Sequence, residues 1–173
     1  SDLLAADAAT SREWAPKLVA AGAVVVDNSS AFRMDPNVPL VVPEINGHEL
    51  DARPRLVANP NCTTIVSLMA AAPLNRLFGL VRLTACSYQA VSGAGLPAMQ
   101  ELEAQARQWS AGQPVEAKVF RRQTLFNVFP HDSALLDDGS NEEETKLLKE
   151  SRRILALPAL KVSATCARVP VRR

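Results

Sequence analysis

One thiol stands where a fold can turn it into a nucleophile. Cys62 lies in Asn59-Pro60-Asn61-Cys62-Thr63-Thr64, after the apolar run Leu56, Val57 and Ala58 and before Ile65, Leu68, Met69 and Ala72 at helical spacing. That pattern predicts a strand-to-helix turn with Cys62 as the first helical residue and Asn61, a good capping type, just before it. Unpaired N–H groups and the positive dipole end at such a position lower a cysteine pKa from its free value of about 8.5 and raise the thiolate fraction. On position alone the alternative is a buried cysteine packed as a small hydrophobe. Cys86 and Cys166 read as packed thiols, and His131, after Phe129-Pro130, as a structural histidine. Three sparse cysteines argue against a disulfide framework, and with His48 and His131 distant from any cysteine cluster no metal site is expected.

The elements that must position this thiol are those of an α/β chain. Residues 10–21 predict a helix capped by Thr10 or Ser11, carrying Trp14, Leu18 and Ala21, and ended by Gly22. Ala23 to Asp27 then predicts a short strand buried on both faces, as in a parallel sheet. Prolines 36, 39 and 43 mark a link containing a short strand from Leu40 to Val42. The helix from Cys62 is expected to break near Pro73. Val81 to Tyr88 alternates and predicts a half-buried strand, Leu96 to Trp109 a helix with one apolar stripe, and 112–122 a loop. Leu125 to Phe129 is β-prone, Ser140 and Glu143 suggest a capping box for a helix to about Leu155, and Lys161 to Val171 predicts a last strand.

Composition bounds the function classes. The chain has 173 residues, 47% hydrophobic and 21% charged, with a formal net charge of +1, which gives no electrostatic basis for nucleic acid or an anionic membrane as partner. Its longest apolar stretches, such as Leu18 to Val26, fall short of the ~20 residues that cross a bilayer. The expectation is a cytoplasmic protein with reduced thiols. The seven glycines form no Gly-x-Gly-x-x-Gly fingerprint.

Four ordered segments carry a family likeness: residues 27–33, Asp-Asn-Ser-Ser-Ala-Phe-Arg; the cysteine segment 59–64; residues 87–95, Ser-Tyr-Gln-Ala-Val-Ser-Gly-Ala-Gly; and residues 163–171, Ser-Ala-Thr-Cys-Ala-Arg-Val-Pro-Val. Together they resemble the aspartate-β-semialdehyde dehydrogenase family. The resemblance implies the tail of a Rossmann-like parallel sheet, residues 1–61, closing a dinucleotide-binding domain. Residues 62–173 would form most of an α/β catalytic and dimerisation domain with a mixed sheet. It also implies NADP as cofactor, aspartate semialdehyde and phosphate as small-molecule substrates, and a homodimer or homotetramer.

Residue by residue, Cys62 matches the nucleophile, which would pass through a thioester. Gln89 matches the residue that orients the substrate, Glu143 the one that holds its amino group, and Arg168 the one that grips its carboxylate. Arg33 and Lys146 match phosphate contacts, and Ser92 and Gly93 a loop against the cofactor. Read without the resemblance, Gln89 is an amide closing a strand end, Ser92-Gly93 a plain turn, and Glu143 and Lys146 solvated helix residues. The resemblance further places a glycine-rich segment before residue 1 and a histidine base seven residues after Arg168. A truncated chain is therefore expected, its activity open. Two alternatives remain: an inactive fragment or paralogue that only associates with a partner subunit, and an enzyme like N-acetylglutamyl-phosphate reductase, whose cysteine segment differs.

Overall fold

A computed structural model describes residues 2–173 and shows an α/β fold. The chain divides into two compact units, Ser1–Thr84 with Lys146–Ser163, and Ala85–Thr145 with Ala164–Arg173.

The first unit holds a parallel sheet of β1 (Asp2–Leu4), β2 (Val25–Asp27) and β3 (Leu56–Ala58), in that order. Their register is level, with Asp2 beside Val25 and Val25 beside Leu56. Between β1 and β2 runs α1 (Ala8–Ala20), the crossover that parallel strands require. It starts two residues before the expected Thr10, because Asp7 accepts from the N–H groups of Ala9 and Thr10, both at 2.9 Å. Its buried residues are Ser11 and Ala15, while Trp14 is exposed. Gly22, at φ +91°, takes the left-handed turn that follows it.

β2 corrects the expectation of a strand buried on both faces. Val25 and Asp27 are fully buried and Val26 only partly, and Val24, Val26 and Val57 line an open cavity of about 690 Å³. Asp27 takes Ser11 Oγ at 2.7 Å and Ser29 Oγ at 2.8 Å, so its buried carboxylate is paired. The expected strand from Leu40 to Val42 is reduced to one bridge, Leu40 beside Ala58. A short helix, α2 (Pro43–Asn46), takes over at Pro43, which suits a first helical turn.

From Cys62 runs α3 (Cys62–Phe78), unbroken through Pro73. Pro73 and Met69, the residue four earlier whose carbonyl loses its donor, both lie on the exposed side of the helix, which continues past them. Leu68 and Ala71 turn inward onto Val38, Leu40, Val42, Ala58 and Ile154, the core of this unit.

The other sheet has the order β4 (Arg82–Gln89), β6 (Lys161–Arg168), β5 (Phe129–Pro130). Lys161 N–H donates to Val81 C=O at one end and Val169 N–H to Gln89 C=O at the other, so β4 and β6 run the same way; β5 runs antiparallel to β6. The sheet is mixed. Along β4, Leu83, Ala85, Ser87 and Gln89 are half-buried and the alternate residues exposed, as the alternation predicts.

In the second unit, α4 (Leu96–Ser110) contributes Ala98 and Leu102 to a core with Val91, Phe120, Leu125 and Phe129. Its Gln105, fully buried, accepts from Thr124 and Leu125 N–H and donates to Glu116 C=O, which pins the long loop. Leu125 to Phe129 is not the expected strand: Phe126 sits at φ +58°, outside strand geometry, and only Phe129–Pro130 pairs.

α5 (Glu142–Ile154) starts from a capping box one residue later than expected. Ser140 is taken by Asp138, whose Oδ1 accepts both its N–H and its hydroxyl. Asn141 therefore caps, exchanging bonds with Glu144 at 2.9 and 3.0 Å. Glu143 has no capping duty. Its side turns inward, in line with Leu147, Glu150 and Ile154.

Candidate functional site

The residues singled out from the sequence fall into two constellations, one in each unit. In the first, Asn61 caps α3 through its side chain, which accepts from Thr63 N–H at 2.8 Å and Thr64 N–H at 3.4 Å. Cys62 is the first helical residue and its side is exposed, so the packed-hydrophobe alternative for this thiol is set aside.

The turn before Cys62 is held from an unexpected quarter. Arg33, 9% exposed, donates Nε to Asn59 C=O at 2.9 Å and Nη2 to Asn28 C=O at 3.0 Å. Its Nη1 meets Glu150 Oε1 at 3.2 Å, and Glu150 Oε2 accepts the Asn61 N–H at 2.7 Å. A guanidinium and a carboxylate thus grip both ends of Asn59-Pro60-Asn61, whose proline has no N–H to offer a ladder. Lys146 lies one turn before Glu150 on α5 and is half-buried.

The second constellation gathers five of the predicted residues. Arg168, at the end of β6, donates Nη1 to Gln89 Oε1 at 3.3 Å and to Ala90 C=O at 3.2 Å. Gln89, at the end of β4, donates Nε2 to Glu143 Oε1 at 3.4 Å and to Ser87 Oγ at 3.2 Å. Gly93 closes against the same guanidinium: a Cβ there would stand 2.9 Å from Arg168 Nη1. Ser92 shares the short 3-10 turn Val91–Ala94, where its carbonyl accepts the Gly95 N–H. Arg168 also lies over the Phe120 ring, 5.7 Å from its centroid.

Two members were missed by sequence reasoning. Glu150 is 1% exposed and lies seven residues after Glu143 on the inward face of α5, so a carboxylate in a buried stripe was the available signal. Asp132 holds Arg168 Nε at 2.7 Å. Burial pushes the Asp132 carboxyl up, but the hydrogen bond and charge of Arg168 outweigh it and hold the group below its ordinary range. Cys166 is buried in β6, and that burial raises its thiol pKa. Cys86, read as packed, is exposed on the outer side of β4, where its alternation places it.

Among the described residues no three His, Cys, Asp or Glu side chains could hold a metal ion, and no helix is long and apolar enough to cross a membrane. An open thiol on a braced helix start is suited to nucleophilic attack, and a guanidinium held in one plane to a carboxylate.

Known proteins resemble this chain in sequence and in fold. The family described as semialdehyde dehydrogenase, dimerisation domain, matches residues 71–173, and that described as semialdehyde dehydrogenase, NAD binding domain, matches residues 2–53. The aspartate-semialdehyde dehydrogenase of Aquifex aeolicus is 45% identical over 172 residues, covering 98% of this chain and 51% of that protein. The crystal structure of aspartate semialdehyde dehydrogenase II from Vibrio cholerae complexed with ASA superposes with a TM-score of 0.93 at 40% identity, over 98% of this chain and 51% of that one. The Candida albicans enzyme solved with NADP gives a TM-score of 0.70 at 26% identity, over 98% and 46%. The chain spans about half the length of the curated relatives it matches.

Proposed function

Because the chain belongs to the semialdehyde dehydrogenase family, we propose that it carries the nucleophile half of an oxidation of L-aspartate 4-semialdehyde to 4-aspartyl phosphate, run biosynthetically in reverse. The observation that carries this reading is the exposed Cys62 thiol at the first position of α3, on a turn clamped by Arg33 and Glu150. The names of the relatives support the substrate, and the Candida enzyme solved with NADP supports the cofactor.

In this reading the Cys62 thiolate adds to the aldehyde carbon, forming a C–S bond and a thiohemiacetal. NADP, when bound, would supply the acceptor for the hydride of that carbon. The thioester left on Cys62 is then attacked by a phosphate oxygen, and the thiolate departs as the acyl phosphate forms. Arg168 holds the substrate carboxylate, Glu143 its ammonium, and Gln89, bonded to both, orients it. Lys146 serves phosphate, together with the Arg33 N–H groups that Asn28, Asn59 and Glu150 leave unused. Ser92 and Gly93 would hold the nicotinamide end of the cofactor; Gly93 is exposed and, without a side chain, would allow a close backbone approach.

Residues 1–61 are read as the carboxyl-terminal part of a dinucleotide-binding domain and 62–173 as catalytic and dimerisation domain. The dimerisation-domain match supports self-association, and the exposed apolar stripe Val66, Met69, Leu74 and Leu77 on α3 suits a second copy.

The test is alkylation by iodoacetamide near neutral pH, followed thiol by thiol. Cys62 should react faster than Cys86 and Cys166, and L-aspartate 4-semialdehyde, by adding to the Cys62 sulfur, should slow the alkylation of Cys62 alone. Equal rates for all three thiols, with no protection by the semialdehyde, would refute the assignment of the nucleophile.

A further inference from the structure

Arg168 is 3% exposed, and a guanidinium so enclosed can meet a ligand only along the edge its neighbours leave open. Its neighbours are all in the second unit. Nε is taken by Asp132 Oδ1 at 2.7 Å, and Nη1 by Gln89 Oε1 at 3.3 Å and Ala90 C=O at 3.2 Å. The ring of Phe120 covers one face, and Gly93 stands so close to Nη1 that a methyl group would meet it at 2.9 Å. Nη2 makes no hydrogen bond among the described residues and is the donor left for a carboxylate.

These contacts differ in strength. The Nη1 bonds are at the long end of hydrogen-bond distances and go to neutral oxygens. The bond to Asp132 is short, ionic and the only one on Nε, the atom about which the guanidinium plane turns. Asp132 lies in the segment between β5 and α5, next to His131, whose Nε2 is 3.8 Å from the same Oδ1. Its carboxyl, with its side chain 33% exposed, can be changed without emptying a core.

We infer that Asp132 is the positioning residue for Arg168, setting the rotation of the guanidinium plane so that the Nη2 edge presents itself to a ligand carboxylate. This rests on the reading of Arg168 as the carboxylate-binding residue, and it adds a residue that the sequence reading did not contain.

The probe is L-2-aminobutanoate, which has the α-amino and α-carboxylate groups of the proposed substrate but no aldehyde. Its dissociation constant is measured on the whole chain by NMR from the arginine Nε–H resonances. Asp132→Ala should weaken binding by about tenfold, and Asp132→Asn, which keeps an acceptor for Nε, should stay within about threefold of the parent. Asp132→Ser, too short to reach Nε, should behave as Asp132→Ala does and decides the matter if the alanine variant fails to fold. Restoration by asparagine is the result that general loosening would not produce. Equal affinity in the parent, Asp132→Ala and Asp132→Ser would overturn the inference and leave the role of Arg168 standing. A parent chain that does not bind the probe at all would overturn both.

Discussion

Two guanidinium–carboxylate pairs do different work in this chain. Arg33 and Glu150 are both buried, and each spends its remaining hydrogen bonds on backbone: the carbonyls of Asn28 and Asn59 and the amide of Asn61. Arg168 and Asp132 form a pair whose carboxylate is one-third exposed, and Arg168 spends its other bonds on Gln89 and Ala90. The first pair fixes the course of the chain into Cys62; the second fixes the direction of a side chain. Burying an ion pair gains little net stability, because desolvation offsets the attraction, so such pairs are better understood by what they hold in place. The difference also says where each is vulnerable. Cutting the first should unfold, and cutting the second should disarm.

The sharpest way to break that contrast is Glu150→Ala. It strands a buried guanidinium and leaves the Asn61 N–H without its acceptor. Loss of one partner from a buried pair costs about 3–5 kcal/mol, which chemical denaturation would register as a large fall in midpoint. A loss under about 1 kcal/mol would mean that water replaces the carboxylate and that the clamp is not what holds the turn.

A smaller effect separates side-chain from main-chain support of the same turn. Asn61→Ala removes the cap on Thr63 and Thr64 but keeps the backbone N–H that Glu150 accepts. Helix caps are worth about 0.5–2 kcal/mol, so this variant should lose roughly 1 kcal/mol, well short of Glu150→Ala. If the two variants lost equal stability, the brace would reduce to an ordinary cap.

How far the sequence foretells these features depends on the range of the interactions. The strand, turn and capped helix around Cys62 were legible, because apolar spacing and an N-cap residue are local signals. So was the alternation of β4. Two of the segments that carry the family likeness, 87–95 and 163–171, hold Gln89, Gly93 and Arg168, which the structure brings together, while Glu143 lies outside all four. What stayed hidden was long-range or decided by a competitor. Glu150 finds its arginine 117 residues away, and Asp132 its arginine 36 away, and neither pairing has a periodicity. At α5, Ser140 and Asn141 are both capping types, and only the turn at Asp138 that claims Ser140 selects Asn141. Pro73 reads as a helix breaker until the structure shows it on the exposed side of an unbroken α3.

The weakest expected effect tests the second pair by pH. Folding lowers the Asp132 carboxyl pKa below its unfolded value of 3.8, through Arg168 and against the opposing effect of burial. A depressed carboxyl contributes stability that is fully present above the unfolded value and is lost as pH falls through the folded one. The stability difference between the parent and Asp132→Asn should therefore be flat from about pH 7 to 5, at roughly 1 kcal/mol or less for a partly exposed pair, and shrink below about pH 4. Urea midpoints across that range measure it. A difference that instead changed between pH 6 and 7 would assign the dependence to His131, whose Nε2 lies 3.8 Å from the same carboxylate, and would make that histidine rather than Arg168 the governing partner.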